Sequence, residues 1–141
     1  MDSRVLKAYK KLGFTVTIDP SVNYGGCFNA HSRSIILRFE NETIYHELGH
    51  FLAFVAGNVD RTSDFAAVYN SEKSKFTGIN RSYATQNSSE YFAESVLEYV
   101  TSPSTPKRQR PKTYAAIVAA LNKITDERIQ RVMDIYGPFW S

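Results

Sequence analysis

The stretch Tyr45-His46-Glu47-Leu48-Gly49-His50 decides how the rest of the chain is interpreted, because it holds the pattern His46-Glu47-x-x-His50. On a helix, residues four apart lie one above the other on the same face. Two histidines placed in this way can hold one zinc ion, and the glutamate that follows the first can act as a general base in hydrolysis. The pattern therefore predicts a zinc site with Glu47 beside it.

The residues around the motif favour an amphipathic helix. Apolar side chains recur at helical spacing on both sides of it: Ile44, Leu48, Phe51, Leu52 and Val55. Asn41 is a good N-cap and Gly57-Asn58 is a favourable C-terminal pair, so we expect the helix to run between them. The alternative is a pair of histidines on a polar helix face, but with three histidines in the whole chain an accidental match to the pattern is uncommon.

Length and composition indicate one globular domain spanning residues 1–141, with 43% hydrophobic and 22% charged residues. No apolar run approaches the roughly 18 residues that a membrane span needs. Residues 1–7 lack the apolar core of a signal peptide. We therefore expect a monomer that makes no membrane contact and is cytoplasmic as it stands, or a secreted protein if the sequence is a processed fragment.

Three further features compete for a functional role. Cys27 is the only cysteine, which excludes an internal disulfide and a cysteine-rich zinc site, and we expect it to be structural. His31 lies in a connection between two predicted strands, where a solvent-facing turn residue is expected rather than a metal ligand. The basic residues of 107–112 lie among prolines and are interpreted as a solvated loop, with nucleic-acid binding as the minor alternative.

The pattern along the chain predicts a small α+β domain, with a short N-terminal β-sheet followed by a helix-dominated half. Strands are expected at 14–18, 27–28 and 34–39, and helices at 3–12, 41–57, 62–76, 88–100, 112–123 and 125–136. Loops are expected at 77–87 and 101–110, and the last helix should stop before Gly137-Pro138. The strand 35–39 runs into the metal helix, so its edge is a candidate shelf for an extended peptide.

A catalytic zinc normally has three protein ligands and one open position, so a third ligand is needed. The predicted helix after Ser88 carries Glu90, Glu94 and Glu98 four residues apart on one face. A solvated acidic stripe is the alternative interpretation of these three residues. Beside a helix with two zinc ligands, the stripe is the best source of the third. Glu90, in the first turn, is the first candidate, and Glu94 could orient a ligand from behind.

The run 83–94, Tyr-Ala-Thr-Gln-Asn-Ser-Ser-Glu-Tyr-Phe-Ala-Glu, resembles the catalytic domain of anthrax lethal factor and its relatives, including the Pro-Pro endopeptidases, which are gluzincin-type zinc metalloproteases. In that family a tyrosine precedes the zinc-binding glutamate by seven residues, as Tyr83 precedes Glu90 (90 − 83). Glu90 also follows His50 by 40 residues (90 − 50), which is similar to the family's spacing. Arg110-Pro111-Lys112-Thr113-Tyr114 resembles the family's Pro-Lys-Thr-aromatic segment.

The resemblance implies a zincin-like metalloprotease domain with Zn²⁺ as its cofactor. The implied zinc ligands are His46, His50 and Glu90. Glu47 and Tyr83 become the catalytic residues, with Glu47 as the base and the Tyr83 hydroxyl aimed at the tetrahedral intermediate, while Glu94 supports a ligand. The implied function is a zinc-dependent endopeptidase that uses a zinc-activated water to hydrolyse a peptide or protein substrate bound in extended form.

Two other functions stay open. Small intracellular proteases that cut phage or mobile-element repressors also use a His-Glu-x-x-His helix and a later glutamate. Their third ligand comes sooner after the motif, however, and Tyr83 is not expected in them. The second alternative is a non-catalytic protein-binding module on the same fold, which would engage its partner through the basic residues of 107–112.

Overall fold

The computed structural model of the chain describes residues 1–140 and has eight α-helices and one three-stranded sheet. The elements in chain order are α1 (Ser3–Lys11), β1 (Thr15–Ile18), β2 (Gly26–Asn29), β3 (Ser34–Leu37), α2 (Thr43–Val55), α3 (Ser63–Glu72), α4 (Arg81–Ala84), α5 (Ser88–Thr101), α6 (Ser104–Gln109), α7 (Pro111–Asn122) and α8 (Asp126–Trp140). Short 3-10 turns at Val59–Arg61 and Lys73–Lys75 flank α3. The predicted α+β class is confirmed.

The sheet has the order β1-β3-β2, so β3 is its central strand. β3 is parallel to β1, with Thr15 opposite Ser34, and antiparallel to β2, with Gly26 opposite Leu37. The prediction that residues 35–39 offer an open edge is therefore wrong, because β3 pairs on both sides. Of the described strands, β1 and β2 are the edges, and β2 is the one that packs against α2.

The metal-motif helix α2 lies between the sheet and α5 and forms the centre of the core. Its apolar face is buried, with Phe51, Leu52 and Val55 fully inaccessible to solvent. The helix begins two residues later than Asn41, yet Asn41 still assists its start because its side-chain oxygen accepts a hydrogen bond from the Thr43 backbone at 2.9 Å. The predicted amphipathic helix is thus confirmed.

Gly49 allows α2 and α5 to approach with their backbones almost in contact. A Cβ atom added at Gly49 would lie 2.9 Å from the Cα atom of Ala93 and 3.0 Å from its carbonyl oxygen. Any larger residue at this position would separate the two helices. The contact therefore places the histidines of α2 opposite the first turns of α5.

Two stretches predicted as loops contain short helices. The stretch 77–87 holds α4, where the guanidinium of Arg81 donates to the backbone oxygens of Phe76 and Ser74 at 3.2 Å each and turns the chain back on itself. The stretch 101–110 holds α6 despite its prolines. Pro106 lies in the first turn of α6, where the backbone N–H that proline lacks would have no partner within the helix.

The predicted stop before Gly137-Pro138 is also wrong, since α8 continues to Trp140. The indole nitrogen of Trp140 donates to the backbone oxygen of Ala30 at 3.0 Å, and its ring packs edge-on against Phe14. These contacts with residues next to the sheet hold the last turn in place after Pro138. Within residues 1–140, no helix combines the length and the apolarity that crossing a bilayer requires.

Candidate metal centre

His46 and His50 on α2 face Glu90 on α5. The Nε2 atom of His46 lies 3.1 Å from one carboxylate oxygen of Glu90, and the Nε2 atom of His50 lies 2.9 Å from the other. Glu90 is held in the first turn of α5, where the Asn87 side chain accepts a hydrogen bond from the Glu90 backbone at 2.8 Å. The structure thus brings together the three residues that were predicted as ligands.

The three side chains fit a zinc ion in both chemistry and spacing. Their ligand atoms all lie within 4.8 Å of one another. Two ligands bound to zinc at 2.0–2.1 Å with tetrahedral geometry lie about 3.3 Å apart, which is close to both His–Glu distances. Two imidazoles and one carboxylate are also a usual set for a catalytic zinc, which keeps its fourth position open.

Glu94 lies behind His46, on the side away from Glu90. Its carboxylate is 2.7 Å from the Nδ1 atom of His46. A carboxylate in this position accepts the Nδ1 proton, so that Nε2 is left as the nitrogen available to a metal. The distance is the one that the supporting role of Glu94 requires, and that role stays a prediction.

Glu47 points from α2 toward β2 and is 5% exposed. Burial raises the pKa of its carboxyl group above the ordinary value, although the neighbouring His46 and His50 oppose the shift. Gly26 on β2 makes room for this side chain, because a Cβ added there would lie 2.9 Å from a carboxylate oxygen of Glu47. We did not predict this role for Gly26. The only sequence signal was the glycine pair at 25–26, which we interpreted as a turn.

Tyr83 on α4 completes the group. Its ring centroid lies 5.9 Å from that of His46. Burial and the neighbouring Glu90 carboxylate raise the pKa of the Tyr83 hydroxyl above its usual range. The phenol therefore stays protonated at neutral pH and can act as a hydrogen-bond donor.

Two cavities of about 270 Å³ each flank the cluster. The first is lined by His46, Glu47 and Tyr83 together with Gly26 at the start of β2. The second is lined by His50 together with Phe28, further along the same strand. The outer edge of β2 therefore runs past both cavities, with the cluster of His46, His50 and Glu90 between them.

Comparison with known families identifies the chain. The sequence model described as "Anthrax toxin lethal factor, N- and C-terminal domain" matches residues 27–119, which are 93 of the 141 residues (119 − 27 + 1). This chain belongs to the anthrax lethal factor family. The matched range includes the whole cluster and the cavity residue Gly26 lies just before it. No curated protein sequence matches the chain.

The remaining candidates in this lethal factor family member lie outside the cluster. His31 is exposed in the turn between β2 and β3, and Cys27 is exposed on β2. The segment 107–112 is not a solvated loop throughout, because Arg110 is fully buried. Its guanidinium pairs with Glu98 and donates to the Ser95 hydroxyl at 2.9 Å. The acidic stripe of α5 is therefore divided, with Glu98 used for packing.

A buried hydrogen-bond network that we did not predict connects α5 to α3 and α7. Glu72, at the end of α3, is 2% exposed and accepts hydrogen bonds from the backbone and hydroxyl of Thr113 at 2.7 Å each. The Thr113 hydroxyl lies 2.7 Å from the hydroxyl of Tyr91, the residue that follows Glu90. The Pro-Lys-Thr segment of the family resemblance is thus part of the support of the cluster. Nothing local in the sequence pairs Glu72 with Thr113.

We expect zinc binding near pH 7.5 to release about one proton from His46. Burial alone would lower the pKa of His46, but hydrogen bonds to Glu90 and Glu94 raise it to about 9 in the metal-free protein. His46 is then protonated below pH 9 and must lose that proton to bind a metal, so zinc affinity should rise as the pH increases toward 9. Calorimetry in buffers of different ionisation enthalpy measures the release.

The Glu94→Gln variant is the control for this titration, because it removes one of the carboxylates that raise the pKa of His46. Its proton release at the same pH should be smaller. A wild-type binding enthalpy that is the same in every buffer would contradict the expected release.

Proposed function

We propose that this member of the lethal factor family is a zinc-dependent endopeptidase with a zincin-like fold. The supporting observation is the convergence of His46, His50 and Glu90, whose ligand atoms lie within 4.8 Å of one another. Beside them, Glu47 and Tyr83 line the same cavity. A metal-ligand set, a buried carboxylate and a phenol at one cavity are the parts that peptide hydrolysis needs.

Each residue has a defined task in this proposal. A bound zinc would polarise the scissile carbonyl and lower the pKa of a water molecule to about 7. Glu47 accepts the proton of the attacking water and passes it to the leaving nitrogen, and its raised pKa suits both transfers. The Tyr83 hydroxyl donates to the developing oxyanion. Glu94 keeps His46 in the tautomer that leaves Nε2 free.

The substrate in this proposal is a polypeptide lying extended along β2. The outer edge of Gly26–Asn29 is not paired with another described strand. At about 3.3 Å per residue, these four residues offer about 13 Å of backbone to pair with a substrate. The cavities at the two ends of β2 would take side chains on either side of the cleaved bond. This edge replaces the shelf that we predicted at residues 35–39.

A peptide library tests the proposed function directly. Zinc-loaded protein is incubated with the library, and the cleavage sites are read by mass spectrometry with and without a chelator. We expect cleavage that the chelator abolishes. Protein that holds one zinc ion but leaves every peptide intact would contradict the proposal and favour the non-catalytic binding module. The single-domain organisation, the monomeric state and the cellular location remain predictions.

The Tyr83→Phe variant should lower kcat by about 10²-fold and leave zinc content unchanged. The reason is that the variant loses the phenolic donor beside His46 while keeping its ring. The kinetics of the best library peptide measure the change. Tyr136→Phe on α8 is the matched control, and its rate should equal that of the wild type. A Tyr83→Phe rate equal to wild type would remove Tyr83 from the mechanism.

A further inference from the structure

Two segments of the chain that contain no acidic residue lie beside the candidate active site and form a basic surface. The chain has no Asp or Glu between Glu72 and Glu90, and none between Glu98 and Asp126. These two segments carry a group of exposed cations: Lys75, Arg81, Lys107, Arg108 and Lys112. A protein with a net charge of +3 thus concentrates much of its positive charge in two short stretches.

The two stretches form one continuous surface. Thr77 donates from its hydroxyl to the side-chain oxygen of Gln109 at 3.2 Å. The guanidinium of Arg110 lies 4.9 Å from the ring centroid of Phe76. The backbone N–H of Lys112 donates to the carboxylate of Glu72 at 3.1 Å, and Glu72 directly precedes Lys73. The turn after α3 therefore adjoins α6 and the first turn of α7.

The positive charge of this surface is largely uncompensated. Glu72 is buried and caps α7, and Glu98 pairs with the buried Arg110. Among the described residues, no carboxylate forms an ion pair with Lys75, Arg108 or Lys112. These three cations are free to attract an external anionic group.

Two adjoining cavities form a groove beside the candidate active site, and the basic surface begins where this groove ends. A cavity of about 530 Å³ continues from the one beside Glu47, since both are lined by Thr43, Asn80, Glu94 and Leu97. Its far wall is the loop 76–80. Lys75 and Arg81 stand at the two ends of that loop. A polypeptide leaving the groove past Asn80 therefore reaches the basic surface.

We propose that Lys75, Arg108 and Lys112 form an exosite for an acidic segment of the protein substrate, a proposal that rests on the proposed peptidase function. The continuous path from the groove favours a polypeptide. Nucleic acid fits less well, because lysines cover two tyrosine rings beside this surface. The ammonium of Lys73 lies 4.7 Å from the ring centroid of Tyr69, and that of Lys107 lies 5.8 Å from the ring centroid of Tyr114. A membrane fits less well because Ile79 is the one large exposed apolar residue in 73–81 and 107–112.

Binding is measured first, without catalysis, on the zinc-loaded Glu47→Gln protein. A fluorescent hexaglutamate peptide is titrated by anisotropy at low and at physiological salt. The triple variant Lys75→Gln, Arg108→Gln, Lys112→Gln should bind it about tenfold more weakly, since three exposed charge contacts are lost. The control triple Lys10→Gln, Lys123→Gln, Arg131→Gln also changes the formal net charge from +3 to 0 and should bind like its parent.

Activity is measured next, on a library-derived peptide with and without an acidic extension. In wild-type catalytic protein the extension should lower KM and leave kcat unchanged, and the basic-surface variant should lose this gain while cleaving the short peptide normally. Equal weakening in both triple variants, or none in the basic-surface variant, would overturn the exosite. The exosite would also be overturned if the parent protein bound a single-stranded oligonucleotide or anionic vesicles more tightly than hexaglutamate, and the basic-surface variant lost that binding. An absence of any cleavage would count against the peptidase, while the hexaglutamate titration would still decide whether the surface binds acidic peptides.

Discussion

Replacing Glu47 by Gln is expected to lower kcat by about 10²–10⁴-fold while zinc stays bound. Glutamine keeps the size of the side chain in the pocket beside Gly26 but cannot accept the proton of the attacking water. The proposed zinc ligands His46 and His50 are not changed by the substitution. Elemental analysis measures whether zinc stays bound, and cleavage of the best library peptide measures kcat.

Glu40→Gln is the matched control for this experiment. Glu40 is an exposed carboxylate a few residues before α2, so its removal changes the net charge equally without changing the cluster. Its rate should equal that of the wild type. A Glu47→Gln protein that cut peptides as fast as the wild type would exclude Glu47 as the base.

Replacing Gly49 by Ala is expected to weaken zinc binding and to lower the free energy of unfolding by about 1–3 kcal/mol. The added methyl group would meet backbone atoms of Ala93 at 2.9–3.0 Å and the Cβ atom of Val96 at 3.0 Å. Backbone cannot rotate away as a flexible side chain can, so α2 and α5 must separate. His46 and His50 would then move away from Glu90.

Urea unfolding measures the change in the free energy of unfolding of the Gly49→Ala protein, and zinc titration measures the change in zinc affinity. Gly25→Ala is the control, because a Cβ added at Gly25 meets no atom within 4 Å. It should change neither stability nor zinc affinity appreciably. A Gly49→Ala protein with normal stability and normal zinc affinity would show that the close helix contact does not position the ligands.

The part of the site that the sequence predicts is the part encoded locally. His46, Glu47 and His50 follow from one helical turn, and the apolar spacing around them fixes which face is buried. Glu90 and Glu94 lie 40 or more residues later, and only the need for a third ligand together with the family spacing pointed to them. Their approach to α2 depends on the contact of Gly49 with Ala93, which neither helix shows by itself.

The features that the sequence does not predict depend on long-range partners. Strand order is one of them, because the apolar residues in 34–39 do not say that β3 has neighbours on both sides. The continuation of α8 past Pro138 is another, since it depends on the bond from Trp140 to Ala30. Arg110 looked like an exposed loop cation and is buried, because Glu98 lies beside it in the fold.

Zinc content of the purified wild-type protein beside Glu90→Ala tests the central claim most directly. Elemental analysis should find one zinc ion per wild-type chain and little or none in the variant, since Glu90 is the proposed third ligand. Glu127→Ala, which removes an exposed carboxylate on α8, should keep its zinc. Full zinc in Glu90→Ala would place the third ligand elsewhere, and a wild-type protein that takes up no zinc after soaking would contradict the metal centre itself.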